Sequence, residues 1–224
     1  MKKTLSVYVI AYLVLLVFIF GLQYVYPKLE LHLILNSHHT SAQDTFFTYY
    51  SMLAEGPLYV LALFPLFWKK IGITLFFALS ELSGGAILQI LKHIISTDRP
   101  ICAFENYHSA LPLVEGIDMH HSNSFPSGHA STFFVFCTCC ALLLAYHYLQ
   151  KNKEQKHRTS WFLFNLELLG LLIFAALGAY SRIYLSQHFL PDVCMGSIIG
   201  FITPCLIFYF GKNKILKLQK NETK

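Results

Sequence analysis

Six apolar runs, at 4–26, 46–68, 71–95, 128–149, 161–181 and 192–211, constrain this chain more than any other feature. A helix rises 1.5 Å per residue, so about 20 residues cross the roughly 30 Å of hydrocarbon in a bilayer. Lipid offers the backbone no hydrogen-bond partners, so such runs must satisfy themselves as helices. The expected fold is therefore all-α: six transmembrane helices in one bundle. Composition agrees, with 55% of residues hydrophobic and 13% charged, against about 25% charged in soluble domains. No repeat, low-complexity segment or composition shift divides the 224 residues, which predicts a single domain over 1–224. Pro57 and Pro65 predict a kink in the second run. Lys2 and Lys3 precede the first run like the start of a secretory signal. Its apolar stretch is long for one and no A-x-A site follows, so a retained helix is expected.

Charge predicts the orientation. Lys2, Lys3, Lys69, Lys70, Lys151, Lys153, Lys156, Arg158, Lys212, Lys214, Lys217, Lys220 and Lys224 all fall on one side of a six-span layout. The positive-inside rule makes that side cytoplasmic, with both termini there. The net charge of +5 is then topogenic, and no nucleic-acid partner is needed to explain it. Four cations remain at the opposite end: Lys28, Lys92, Arg99 and Arg182. Topology disfavours them there, so something other than insertion accounts for them.

Three of these four belong to polar islands. The first, 92–100, reads KHIISTDRP. Lys92 closes the third run, Arg99 follows in the loop, and Pro100 stops any helix. Interfacial snorkelling of long cations is the bland reading. The second, 124–131, reads SFPSGHAS. Pro126 suits a first helical turn, and the free N–H groups that follow form an anion site. Gly128 lets a ligand approach the backbone. A plain capped helix start explains Pro126 and Ser127 but leaves His129 unexplained. The third, 181–192, reads SRIYLSQHFLPD. Asp192 lies four residues beyond His188, within reach if the turn is helical. A carboxylate on Nδ1 would leave Nε2 as a free base, as in a catalytic His–Asp pair; an ordinary buried pair is the alternative. All three islands emerge on one face, and together they suit a phosphate dianion.

Lys92, Arg99 and Pro100, then Pro126, Ser127, Gly128 and His129, then Ser181, Arg182, His188 and Asp192 resemble the three-part signature of the type 2 phosphatidic acid phosphatase superfamily. Every signature position is filled. The resemblance implies an integral-membrane, metal-independent phosphatase with no cofactor. In that reading His188 is the nucleophile that forms a phosphohistidine, and Asp192 orients it. His129 protonates the leaving group and then activates water. Lys92, Arg99, Ser127, Gly128 and Arg182 bind the phosphoryl oxygens, with Ser181 in a supporting hydrogen bond.

The plain N-terminus, short loops and small size resemble bacterial members, which places the protein in an inner membrane with its site facing the periplasm. Its partners are then the bilayer and a lipid phosphate. Residues 29–39 and 80–85 resemble lipid A phosphatases, so a phosphate of lipid A is the favoured substrate. Undecaprenyl pyrophosphate and phosphatidylglycerol phosphate are the alternatives. Transfer of the phosphoryl group to a lipid acceptor, a non-catalytic lipid-binding role and haloperoxidase chemistry are the competing readings. The complete His188, Asp192 and His129 set argues against simple binding, and six spans argue against the soluble haloperoxidases.

The six cysteines give no external disulfide framework, since only Cys102 lies in an outer loop. Cys137, Cys139 and Cys140 read as helix-packing residues. His38 with His39, and His120 with His121, have no Cys, Asp or Glu at ligand spacing, so no metal site is expected. Residues 29–35 alternate like a strand and are expected along the interface. Glu81 near mid-membrane predicts a structural interhelical bond. Gly196 and Gly200 form a G-x-x-x-G for internal packing or a dimer face. Oligomeric state is not legible.

Overall fold

The computed structural model describes residues 4–67, 70–105, 107–153 and 160–221, and these are helical or irregular throughout. The helices are α1 (Ser6–Val25), α2 (Lys28–Leu35), α3 (Ser41–Met52), α4 (Pro57–Phe67), α5 (Ile71–Ile94), α6 (Pro100–Ala103), α7 (Gly128–Lys153), α8 (Trp161–Tyr184) and α9 (Leu190–Asn221). Among the described residues, α1, α5, α7, α8 and α9 are long and apolar enough to cross a membrane. Outward side chains such as Val17, Leu82 and Phe210 are apolar and exposed, as contact with lipid requires.

The expected count of six spans is not confirmed, and the departure lies in the second run. Residues 46–67 do not form one continuous helix. Helix α3 gives way to a 3₁₀ turn at Leu53–Glu55, and α4 starts only at Pro57. Gly56 sits between them at φ +133°, a conformation that glycine adopts freely. Pro57 brings no N–H to continue the preceding helix. The 11 residues of α4 rise only about 17 Å. Residues 29–35, which alternate like a strand in sequence, lie in helix α2, in keeping with an all-α fold. Pro27 precedes its first turn, Glu30 lies within that turn, and Leu31 and His32 are buried. Helical spacing of the buried side chains overrides the short period-two pattern. Of the cations that predict orientation, Lys2, Lys3, Lys69, Lys156, Arg158 and Lys224 lie outside the described residues.

Helix α7 is the hub. One of its faces packs Ala130, Phe133, Phe134, Cys137 and Ala141 against Leu168, Leu172, Ala175 and Ala179 of α8, with Tyr8 and Tyr12 of α1. Another packs Val135, Cys139 and Leu142 against Phe76 and Phe77 of α5 and Phe208 of α9. Small residues let these backbones approach closely. A Cβ added at Gly196 or Gly200 of α9 would fall 2.3 Å from the Ser127 carbonyl oxygen or 2.4 Å from that of Ser131. The G-x-x-x-G is therefore an internal α7–α9 seam. Hydroxyl pairs supplement the packing, Tyr8 with Thr138 at 3.3 Å and Tyr12 with Ser197 at 3.0 Å. Glu81 accepts from Tyr59 and Thr132, one hydroxyl on each oxygen, both at 2.6 Å, and so ties α4, α5 and α7 together.

This antiparallel order brings the end of α5, the start of α7, the end of α8 and the start of α9 to one end of the bundle.

Candidate active site

Four helix termini carry the site, and the local sequence explains each. At the start of α7, Ser127 Oγ accepts from the Ala130 N–H at 3.4 Å, the geometry of a serine N-cap. A Cβ added at Gly128 would meet nothing within 4 Å, so that backbone borders open space. At the start of α9, the Asp192 carboxylate reaches back to the Phe189 N–H at 2.9 Å. That is the acidic half of a capping box. The backbones of these two starts are joined directly, Ser127 N–H donating to the Asp192 carbonyl at 2.9 Å. Helix α8 ends where Ser186 takes φ +53°. The chain then turns back, and the Gln187 and His188 N–H groups donate to the Arg182 carbonyl at 2.9 and 3.1 Å.

His188 and Asp192 are both 2% exposed. His188 Nδ1 lies 3.7 Å from Asp192 Oδ2, too far for a direct hydrogen bond. Ser124 bridges them. Its hydroxyl donates to Asp192 Oδ2 at 2.5 Å, and its oxygen stands 3.4 Å from His188 Nδ1. With its proton on Nδ1, His188 donates to Ser124 and keeps a lone pair on Nε2. Burial pushes the imidazole down to about 3; the Asp192 carboxylate opposes this, and Arg99 and Arg182 reinforce it. The ring is therefore neutral near pH 7, the form in which an imidazole nitrogen has a lone pair to offer.

The cations are held by neutral partners. Arg99 donates Nε–H to the Ser122 carbonyl at 3.0 Å, and Nη1 to the Gln187 carbonyl and side-chain oxygen, each at 3.1 Å. Burial holds the Arg99 guanidinium below its ordinary value, with Asp192 opposing. Lys92 Nζ donates to the Asn123 carbonyl at 3.2 Å. Arg182 Nη1 donates to Ser51 Oγ, while its buried Nε has no partner among the described residues. None of the three is in an ion pair among the described residues. Buried cations without counter-charges are costly, and an orphan guanidinium donor is the kind of group a phosphoryl oxygen satisfies.

His129 Nε2 stands 3.3 Å from Glu55 Oε1, and Arg182 and Arg99 act on it electrostatically. Ser181 is not brought into the cluster by its side chain: it is fully buried and donates back to the Gly178 carbonyl at 2.6 Å. Sequence reasoning gave no role to Ser124, Gln187 or Ser51 and no partner to Glu55. Ser124 and Gln187 adjoin the motifs; Ser51 and Glu55 carry no local signal. A separate apolar cavity of about 320 Å³ is lined by residues including Tyr12, Phe134, Ile183, Leu190 and Val193 and by none of the motif histidines or cations.

The paired histidines also have partners that spacing did not reveal. His39 Nδ1 lies 2.9 Å from Asp44 Oδ1, and Cys102 Sγ lies 3.3 Å from His121 Nδ1. The expectation of no ligand partner rested on sequence spacing; Asp44 lies five residues from His39 and Cys102 nineteen from His121, and folding closes both gaps.

Two solved structures share this architecture. LpxE from Aquifex aeolicus aligns with a TM-score of 0.59 at 25% identity, covering 80% of this chain and 93% of that one. The transmembrane PAP2 type phosphatidylglycerolphosphate phosphatase from Bacillus subtilis aligns with a TM-score of 0.60 at 20% identity, covering 95% and 98%; at that identity the likeness concerns the fold alone. Lipid phosphate phosphatase delta of Arabidopsis thaliana is 29% identical over 164 residues, which make up 71% of this chain and 36% of that protein. The match therefore spans about a third of the length of that relative. Residues 73–216 match the model of the PAP2 superfamily, a stretch that runs from α5 into α9 and contains all three motifs, and the chain belongs to that superfamily.

Proposed function

We propose that this chain is an integral-membrane lipid phosphatase that works through a phosphohistidine. His188 Nε2 attacks phosphorus, and the bond from phosphorus to the leaving oxygen breaks. His129 gives that oxygen a proton. Neutral His129 then takes a proton from water, whose oxygen attacks phosphorus, and the P–N bond breaks to release phosphate. Asp192, through Ser124, holds the Nδ1–H of His188. Lys92, Arg99, Arg182, the Ser127 turn and the Gly128 N–H stabilise the equatorial oxygens. Ser181 supports the end of α8 that carries Arg182. The observation that carries the reading is the Arg182 Nε, without a partner among the described residues, beside a buried, neutral His188.

The cations already neutralise a dianion, so the chemistry proceeds without a metal. We place the site at the periplasmic face of a bacterial inner membrane, with both termini cytoplasmic, following the cation distribution. A phosphate of lipid A is the favoured substrate, from the resemblance at 29–39 and 80–85. The test is phosphate release from a panel of lipid phosphates by purified protein, with and without EDTA. Release that persists in EDTA is expected, together with its loss in a folded His188→Ala variant. Robust turnover by that variant overturns the nucleophile assignment.

A further inference from the structure

The loop that joins the first two motifs holds a second cluster, outside the phosphoryl site. Cys102 Sγ, a Glu105 carboxylate oxygen and a His121 ring nitrogen all lie within 4.8 Å of one another. Cys102 and Glu105 share one side of the turn that ends α6, where the Glu105 N–H donates to the Cys102 carbonyl at 3.2 Å. His121 arrives 19 residues later, its Nδ1 3.3 Å from Cys102 Sγ. Around a tetrahedral zinc ion, bonds of about 2.3 Å to sulfur and 2.0–2.1 Å to nitrogen put those two atoms about 3.5 Å apart. The pair is thus nearly at ligating separation. Glu105 and His121 are exposed and Cys102 is half-buried, so an ion can enter from water.

We infer that Cys102, Glu105 and His121 bind one divalent transition-metal ion of the zinc class, with water completing a tetrahedral shell. A thiolate, an imidazole and a carboxylate form a borderline-soft donor set, which selects zinc over magnesium or calcium. Binding deprotonates the Cys102 thiol and releases that proton to solvent. Burial, with the carboxylates of Glu105 and Asp98, holds the free thiol above its ordinary value; the same negative surroundings favour a cation.

The position gives the ion a role. The Arg99 N–H donates to the His121 carbonyl at 3.1 Å, and the Ser124 N–H donates to the Thr97 carbonyl at 3.0 Å. Arg99 Nε also donates to the Ser122 carbonyl at 3.0 Å. An ion bridging Cys102 and His121 clamps these same two strands of chain. It fixes the segment that carries Arg99 against the one that carries Ser124, without touching the phosphoryl group.

The test is a titration of chelator-treated full-length protein in detergent with zinc, in competition with a chromogenic chelator and in the absence of substrate. One equivalent is expected to bind. Cys102→Ser and His121→Ala should each weaken it at least tenfold, while His120→Ala should leave it unchanged. Cobalt in place of zinc should give a thiolate charge-transfer band that Cys102→Ser removes, and zinc should raise the thermal midpoint of the wild type but not of that variant. Wild-type protein that binds no zinc, or binds it equally well without Cys102 and His121, overturns the inference. Because no substrate is present, that outcome is separable from any failure of the phosphatase reading.

Discussion

Replacing Gly196 by Ala tests how tightly the seam between α7 and α9 sets the catalytic geometry. The added Cβ would lie 2.3 Å from the Ser127 carbonyl oxygen and 3.2 Å from the Ala130 Cβ. Ordinary carbon–oxygen contact begins at about 3.3 Å, so the helices must part by about 1 Å. The obstacle is backbone, which cannot swing aside as a long side chain would. The first casualty is the Ser127 N–H to Asp192 carbonyl bond of 2.9 Å, which lengthens to about 3.9 Å and is lost. His129 then moves away from His188 and Asp192. A misplacement of about 1 Å costs roughly 100-fold in turnover, and overpacking costs about 1–3 kcal/mol in stability. The assay is kcat on a lipid phosphate beside thermal unfolding in the same detergent. Gly85→Ala is the control, since its Cβ meets nothing within 4 Å. Gly196→Ala with wild-type turnover and midpoint would refute the claim that this close approach sets the site.

Stability should fall on acidification. An unfolded histidine titrates near 6.5, and buried His188 titrates at about 3. Between those values the unfolded chain binds the extra proton, so stability rises with pH across the window and is lost as pH falls through it. The upper bound is about 5 kcal/mol; His188→Gln should flatten the dependence of the thermal midpoint between pH 6.5 and 4. Ser124→Ala removes the bridge from Asp192 to His188, and kcat should drop about 10- to 100-fold, short of the 10²–10⁴ a proton-transfer group itself supplies. KM should hold, and Ser124→Thr should restore much of the rate. Glu81→Ala leaves the Tyr59 and Thr132 hydroxyls without their acceptor; unfolding should shift by about 1–3 kcal/mol, while the folded fraction keeps its activity.

How far the sequence reached differs from element to element. Apolar run length predicted α1, α5, α7, α8 and α9 closely, because crossing hydrocarbon is a local demand that each segment meets with its own residues. In the second run hydropathy passes over Gly56 but the backbone does not, and the kink expected from Pro57 is a full break between α3 and α4. At α2 a seven-residue alternation was too short to separate period two from helix, and the sequence assigned no element there.

Local sequence was enough to read a helical membrane chain, the three motifs proposed to carry the phosphoryl chemistry, and the starts of α7 and α9 to within two residues. These follow from backbone desolvation, capping and motif spacing, all written within a few residues. Helix packing alone puts Ser124 between His188 and Asp192, 68 residues from the latter. Likewise it alone paired Glu55 with His129 across 74 residues, and Cys102 with His121 across 19. Such partners are chosen by how helices pack, through contacts like those at Gly196 and Gly200, and no local pattern encodes which side chains that packing brings within hydrogen-bond reach of each other.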